Sequence, residues 1–417
     1  MLEVLRSAWK LADLRKKILF TLSMLIVFRI GVHIPVPGIN TKVIADLIAE
    51  GQLLGFFDVI SGGAFKKFSI FAMSITPYIN ASIIMQLLTV VIPSLERLSK
   101  EPDGRKKMTQ YIRYGTVILG FIQAIGISFG LRQAVLQPGI GSTLLIALSL
   151  TAGTAFLMWL GELITDKGIG NGISLIIFAG IVSRVPAGVV AIYEYVKAGT
   201  ASIFVVLLFV VIALVVMAGI IAIQEGQRRI PVQYAKRVVG RKVYGGQSTH
   251  IPLKVNQAGV IPIIFAISLL MFPGTIASWF PNNTIAIWIT KIFDLNSVWY
   301  QIIYALLIIF FTYFYTAITF KPSDIADNMK KYGGFIPGLR PGRPTAEYIE
   351  KVSSRITLAG AVFLAGIAVL PSALVSATEL PIYYGGTSLL IVVGVALDTM
   401  KQMESNLLMR HYQGFLK

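Results

Sequence analysis

Basic side chains carry the clearest chemistry in this sequence. The stretch from Gln227 to Asn256 contains seven Lys or Arg and no Asp or Glu. A second stretch, GLRPGRP, places Arg340 and Arg343 among glycines and prolines. Lys and Arg at this density bind phosphate oxygens, either in nucleic acid or in anionic lipid headgroups. Both stretches lie between long apolar runs, so we expect them to meet such a partner at the edge of a membrane.

The sequence motifs that are typical of enzymes are missing from this chain. There is no cysteine, and His33, His250 and His411 lie too far apart to form a local metal motif. The sequence has no HExxH, GxSxG, Walker A or Rossmann glycine pattern. We therefore predict no catalytic residue, no metal and no cofactor, and we expect that the protein is not an enzyme.

The composition is that of a membrane protein. The chain has 417 residues, of which 55% are hydrophobic and 14% are charged, with a net charge of +17. Mean hydropathy is +0.74, well above that of soluble domains. An all-α integral membrane protein is therefore predicted.

Ten apolar segments have the length of a membrane-spanning helix. They lie at residues 18–36, 68–92, 112–135, 143–163, 172–193, 202–223, 257–280, 299–320, 354–376 and 383–400. Basic residues concentrate in alternate connections and at both ends, which together hold 28 of the 37 Lys and Arg. By the positive-inside rule both termini are predicted to be cytoplasmic.

Polar groups within the spans favour a central path. Amides and prolines recur at depth, where they are costly unless they face other helices or a wet cavity. Ordinary helix packing is an equally good explanation of these residues alone. Acidic residues lie at span ends, which disfavours an ion-coupled carrier. Arg29 and Arg184 are interpreted as side chains that reach toward a membrane interface.

Six long motifs, in order along the chain, resemble the SecY/Sec61-alpha family of protein-conducting channel subunits. They are RIGVHIPVPGIN, GGAFKKFSIFAMSITPYINASIIMQLL, GIGNGISLIIFAGI, AKRVVGRKVYGGQSTHIPLKVNQAGVIPIIFA, FIPGLRPGRPTAEYI and PIYYGGTSLLIVVGVALDT. The resemblance covers nearly the whole chain.

The resemblance implies ten transmembrane helices in two pseudo-symmetric inverted halves of five, with a conducting path at their interface. The expected parts are a cytoplasmic amphipathic helix at 1–17, an N-terminal half at 18–200, a C-terminal half at 201–400 and a cytoplasmic tail at 401–417. Basic cytoplasmic loops are expected at 225–256 and 321–353.

A constriction of aliphatic side chains is also implied by the family. Its members here are Ile75, Ile79, Ile173, Ile177, Ile264 and Ile391. The first two and the next two are spaced i,i+4, which is the spacing of one helix face. Apolar walls of this kind exclude ions by dewetting.

Two movable parts follow from the same resemblance. A plug at residues 56–67 is expected beneath the constriction, formed by Phe57, Val59, Ile60, Ser61, Gly62, Gly63 and Ala64. A lateral gate is expected where the second and third spans meet the seventh and eighth. Its amides are Asn80, Gln86, Gln123 and Asn256.

The family's function is passive conduction of unfolded secretory polypeptide and sideways release of membrane helices into the bacterial cytoplasmic membrane. The resemblance implies SecE, SecG, the SecA ATPase, ribosomal RNA phosphates, signal sequences and nascent chains as partners. Docking of the ribosome or SecA is assigned to Arg237, Arg241, Lys242, Arg340 and Arg343. Anionic lipid alone is the simpler explanation of the same basic residues. A small-solute transporter and a membrane-embedded transferase or protease are the alternative functions.

Overall fold

Helices dominate the computed structural model. It describes residues 2–50, 58, 61–199, 202–234, 237–239, 242–244, 248–278, 283–293, 297–378 and 386–414. The first nine helices are α1 Leu2–Lys10, α2 Ala12–Gly31, α3 Thr41–Glu50, α4 Thr76–Val91, α5 Pro93–Lys100, α6 Gly104–Gly130, α7 Ile140–Lys167, α8 Gly172–Val182 and α9 Val185–Lys197. Those that follow are α10 Ile203–Glu225, α11 Ile261–Ser278, α12 Thr284–Ile292, α13 Val298–Thr319, α14 Pro322–Lys331, α15 Arg343–Thr378 and α16 Gly386–Gly414.

Each of the ten predicted spans overlaps at least one of these helices. Among the described residues, six helical units are long and apolar enough to cross a membrane. The helices α4 and α5, bent by 104° at their junction, make a seventh if they are taken as one span. The protein is thus helical with several membrane-spanning helices, whereas the full count of ten stays a prediction.

The second predicted span starts later than expected. Residues 68–75 form turns, and the helix begins only at Thr76. Phe68 and Ser74 have φ angles of 39° and 53°, which no right-handed helix accommodates. Pro77 then stands in the first turn of α4, where a missing N–H costs nothing.

The all-α expectation is wrong for the basic segments, which contain strands. Strand β1, Gln227–Tyr234, pairs antiparallel with β4, Ser248–Lys254, and its end also pairs with β5, Gly334–Phe335. The short strands β2, Arg237–Val239, and β3, Lys242–Tyr244, pair with each other. The sheet therefore joins the two predicted basic loops into one unit.

A small apolar core explains why this unit folds. Alternate β1 residues Ile230 and Val232 are buried, as a period of two requires. They pack with Leu253 of β4 and with Met329 of α14. The periodicity of two was present in the sequence, but the surrounding charges concealed it.

The largest apolar core is shared by the two predicted halves. It combines buried residues of α2, α4, α7 and α8 with others of α10, α11, α13, α15 and α16. The two ends of the chain also meet, because α1 packs on α16 and Ala8 of α1 clusters with Leu14 of α2 and Met403 of α16. Segments of both predicted halves are thus packed together around the largest core.

Candidate functional site

Five of the six predicted constriction residues are buried in that shared core. Ile79 of α4, Ile177 of α8, Ile264 of α11 and Ile391 of α16 are each less than a tenth exposed. Ile75 is 1% exposed and belongs to the same cluster. Four helices, two from each predicted half, therefore bring isoleucines to one apolar centre.

Only one of the two predicted i,i+4 pairs lies within a single helix, since Ile173 and Ile177 are both on α8 whereas Ile75 precedes α4. Ile75 is the N-cap of α4, so it precedes the helix that carries Ile79, although the Ile79 amide donates to its carbonyl at 3.1 Å. Ile173 is half-buried, and its side chain packs against Gly161 of α7. A Cβ added to that glycine would lie only 2.4 Å from the Ile173 Cδ1. Ile173 therefore packs at the margin of the core, one turn from Ile177.

The predicted plug segment is compact where it is described. Ser61, Gly62, Gly63 and Ala64 form buried turns, and Ala64 belongs to the shared core. Phe57, Val59 and Ile60 lie outside the described residues.

Glycine is required at position 62 for two reasons. Gly62 has a φ of +67°, and a Cβ there would lie 2.7 Å from the Cα of Gly180 in α8. Side chains rarely adopt that backbone conformation, and the close approach leaves no room for one. The resemblance implied a movable segment at this position. The structure shows the backbone of Gly62 packed directly against Gly180 of α8.

A buried carboxylate organises the plug segment. Asp58 is fully buried, and its Oδ1 accepts a hydrogen bond from the Lys66 amide at 2.7 Å. Its other carboxylate oxygen, Oδ2, forms an ion pair with Arg184. The Asp58 carbonyl accepts from the Gly63 amide at 2.8 Å, which closes the turn.

Arg29 and Arg184 bind this segment, so the interpretation that they reach toward a membrane interface is wrong. Arg29, in the last turn of α2, donates from Nη1 to the carbonyl of Gly62 at 2.8 Å. Arg184, between α8 and α9, pairs with Asp58. The sequence carried only a weak signal for these contacts: two arginines in apolar segments and one acid that could pair with them. The three residues are far apart along the chain, so the sequence did not show which of them would meet.

A polar seam lies where α11 packs against α4 and α6. Asn80 of α4 and Gln123 of α6 line a cavity of about 20 Å³ together with Thr76 and Ser268. That volume holds about one water molecule. Thr76 and Ser268 were missed by the sequence reasoning, because a single hydroxyl in an apolar helix has no distinctive pattern.

Gln86 and Asn256 do not bridge this seam. The Gln86 Nε2 donates to Ser82 on its own helix at 3.3 Å. The Asn256 Nδ2 donates to the carbonyl of Gly259, also a local contact, at 3.0 Å. Both amides therefore stabilise their own segments in this conformation.

The described docking residues lie on or near the strands in the chain, in the two basic segments. Arg340 is exposed, and its carbonyl accepts from the Thr345 hydroxyl at 2.8 Å. Arg343 is exposed too and pairs with Glu347 at 3.0 Å. Arg237 and Lys242 lie on β2 and β3, and Arg241 lies outside the described residues.

Metal chemistry has no support in the part of the chain that the structure describes. No group of three or more His, Asp or Glu side chains there is arranged to hold a metal ion. The described residues instead form an apolar core, a plug segment bound by Arg29 and Arg184, a polar seam between α11, α4 and α6, and a unit of strands with basic residues.

Comparisons with known proteins agree with this geometry. The family model SecY matches residues 69–400. A protein translocase subunit SecY of Halalkalibacterium halodurans is 51% identical over 431 aligned residues, with 100% of each chain covered. One of Escherichia coli K12 is 48% identical, covering 98% of this chain and 95% of the relative.

Solved structures show the same fold at low sequence identity. A structure described as a protein conducting channel superposes with a TM-score of 0.66 at 17% identity, covering 94% of this chain and 92% of the other. Sec61 from a canine ribosome-channel complex gives a TM-score of 0.60 at 16% identity, covering 94% and 92%.

Proposed function

This chain belongs to the SecY family, and on that premise we propose that it is the central subunit of a protein-conducting channel in a bacterial membrane. In this proposal, unfolded secretory polypeptides pass between the two halves, and apolar helices leave sideways into lipid. The protein itself performs no chemistry.

One observation carries the proposal: isoleucines from both halves meet in one apolar core that also includes the plug segment. Ile79 and Ile177 come from the first half, and Ile264 and Ile391 from the second. Ala64 of the plug segment is buried in the same core. An apolar centre of this kind blocks ions, because they cannot shed their hydration there.

Opening then requires two sets of contacts to yield. The plug segment has to leave Arg29 and Arg184, and the isoleucines have to separate around the passing chain. Dispersion contacts between aliphatic side chains have no directional preference, so they re-form around many different polypeptides.

The polar seam suits a lateral gate. Asn80, Gln123, Thr76 and Ser268 meet between α4, α6 and α11, and such contacts within a membrane contribute about 1 kcal/mol each. An apolar signal sequence that enters between these helices replaces a few weak contacts with apolar packing. The free-energy cost of opening the seam is therefore low when a sufficiently apolar helix enters it.

The driving force in this proposal comes from partners. The basic unit around the sheet is the docking face for the SecA ATPase or for ribosomal RNA phosphates, and it also meets anionic lipids. SecE and SecG brace the two halves from the lipid side. Both termini and the sheet face the cytoplasm, in keeping with the concentration of Lys and Arg there.

Photo-crosslinking tests the function directly. A photo-reactive amino acid at Ile264 should crosslink to a stalled secretory chain, because that position lies in the apolar centre. The matched control is Leu207 on α10, which is 62% exposed on the outer surface of the fold and should crosslink to lipid instead. Equal labelling at both positions, or none at Ile264 while a small solute is transported, would overturn the proposal.

A further inference from the structure

A second cavity lies far from the apolar centre, between the end of α6 and the start of α7. Its volume is about 270 Å³. Its lining combines Ser128, Arg132 and Thr143 with the apolar Phe129 and Leu144. The lining thus combines polar and basic groups, at the turn that leads into α7, with hydrocarbon side chains.

The polar part of the lining is equipped to hold an anion. Helix α7 begins there, and its N-cap is Gly139, which has no side chain to cap the first amides. The N-terminal end of a helix of 28 residues attracts negative charge. Arg132 is exposed, and the described residues offer it no acidic partner.

Ser128 points independently to a ligand. It is 3% exposed, lines the cavity, and its hydroxyl has no hydrogen-bond partner in the described structure. A buried hydroxyl without a partner costs about 1 to 3 kcal/mol. A ligand oxygen in the cavity removes that cost.

The backbone around Arg132 is held in place before any ligand arrives. The Ala134 carbonyl accepts from the Asn40 amide at 2.8 Å, and the Leu136 amide donates to the Gly38 carbonyl at 3.0 Å. Val135 and Ile39 form an isolated bridge beside these bonds. The basic residue is therefore carried on an anchored loop.

The position of the cavity also fits an amphiphile. Helix α6 has 27 residues and so spans about 40 Å, which places Arg132 one membrane thickness from the basic start of that helix at Arg105. Phe129 is 57% exposed and Leu144 is 44% exposed, and both line the cavity. A headgroup at Arg132 would place its acyl chains along these side chains.

We propose that this cavity binds a phospholipid. Its phosphodiester is held by Arg132, the Ser128 hydroxyl and the first amides of α7, and an acyl chain lies against Phe129 and Leu144. With the orientation proposed above, the lipid belongs to the outer leaflet. The site is separate from the conducting path, so it stands or falls independently of the proposed function.

Native mass spectrometry of the full chain in detergent, with any subunits that copurify, tests the site. Dioleoylphosphatidylglycerol is titrated against the wild type, Arg132→Gln, Ser128→Ala and Leu144→Trp. Arg132→Gln should weaken binding at least about fivefold, and Leu144→Trp should do the same by filling the hydrocarbon part. The matched control is Lys291→Gln, on the connection between the seventh and eighth predicted spans, which should bind as the wild type does.

Two further ligands show whether the site recognises the phosphate, the acyl chains or both. Dioleoylglycerol has the same chains without phosphate, and inorganic phosphate has no chains; both should bind poorly. Equal affinity for dioleoylglycerol, effective competition by inorganic phosphate, or unchanged binding in Arg132→Gln would each overturn the proposal. If Leu144→Trp does not fold, Ser128→Ala provides the second variant, with a smaller loss of affinity expected.

Discussion

Asp58 and Arg184 form an ion pair in which the carboxylate is completely enclosed. A buried carboxylate is tolerated only when it is paired and hydrogen-bonded, and Asp58 is both. Arg29 adds a second tie through the Gly62 carbonyl. At the scale of single residues, two arginines from separate helices thus hold the segment next to the apolar centre.

Neutralising the pair should release the segment. Asp58→Asn removes the carboxylate that pairs with Arg184, and because Arg184 is partly exposed we expect a modest effect. The expected shift toward the open state is about tenfold, equivalent to ~1.4 kcal/mol. Ion conductance of the resting protein in planar bilayers measures this shift.

The control for this change is Lys66→Gln, since the Lys66 side chain is exposed. Arg184→Gln alone should leak more than the double variant Asp58→Asn with Arg184→Gln, because only the single variant leaves the enclosed Asp58 carboxylate without its ion pair. Conductance equal to the wild type in Asp58→Asn would show that the ion pair does not hold the segment.

A polar side chain in the apolar centre should also raise the leak. Ile264→Asn places an amide where dewetting excludes ions, so resting conductance should rise several-fold. The control is Leu270→Asn, which is equally buried on the same helix but is not among the constriction residues. A similar leak from both variants would indicate general loosening of the core and would contradict the assignment.

At the scale of elements, the three-stranded sheet decides how the basic residues act. The strand order β4-β1-β5 ties the segment after α10 to the segment after α14. Ile230, Val232 and Leu253 hold the sheet against Met329 of α14. The two basic segments are therefore held together as one structural unit.

Charge reversal within this unit should weaken docking. Arg340→Glu should reduce ribosome or SecA affinity about fivefold at moderate salt, with a smaller loss as salt rises. Arg343→Glu should have a smaller effect, because Arg343 already pairs with Glu347. Binding measured across a salt series, with Arg105→Glu as the control outside the sheet, tests both.

The outcome distinguishes docking from lipid attraction. Loss of partner binding in Arg340→Glu with unchanged vesicle binding supports docking. Equal partner affinity in Arg340→Glu and the wild type would assign the arginine to anionic lipid alone.

At the scale of the whole molecule, the two predicted halves share an apolar core and a polar seam. The apolar core is extensive and includes nine helices, whereas the seam of α11 with α4 and α6 contains buried polar side chains. Polar contacts within a membrane are individually weak. The molecule is therefore expected to open along this seam while the rest of each half stays packed.

Locking the seam should prevent lateral release. The chain has no cysteine, so Asn80→Cys with Ser268→Cys introduces a unique pair that lines one cavity. A short bifunctional thiol reagent should join them, and insertion of a signal-anchored helix into membranes should then fail. Each single variant, treated in the same way, should insert normally; failure in the single variants would contradict a gate at this seam.

The sequence indicated much of the candidate site, because motif order and apolar segments survive in any tertiary arrangement. The resemblance supplied an alignment that grouped isoleucines hundreds of residues apart, and five of the six are buried in one core. Their role as a constriction stays a prediction. The sequence did not indicate the partners of Arg29, Arg184 and Asp58, because those contacts join positions that share no periodicity. Nor did it separate Ile173 from Ile177, since that difference depends on the space beside Gly161.

The sequence by itself determined that this is a helical membrane protein of the SecY family with concentrated basic segments, because composition, span length and motifs are properties of the chain. Only the tertiary structure decided that the basic segments form a sheet, that α4 begins at Thr76, and that two arginines tie down the plug segment. The physical reason is that strand pairs, ion pairs and close backbone contacts form between residues that are distant in the chain. Whether they form depends on distances that only the folded chain sets.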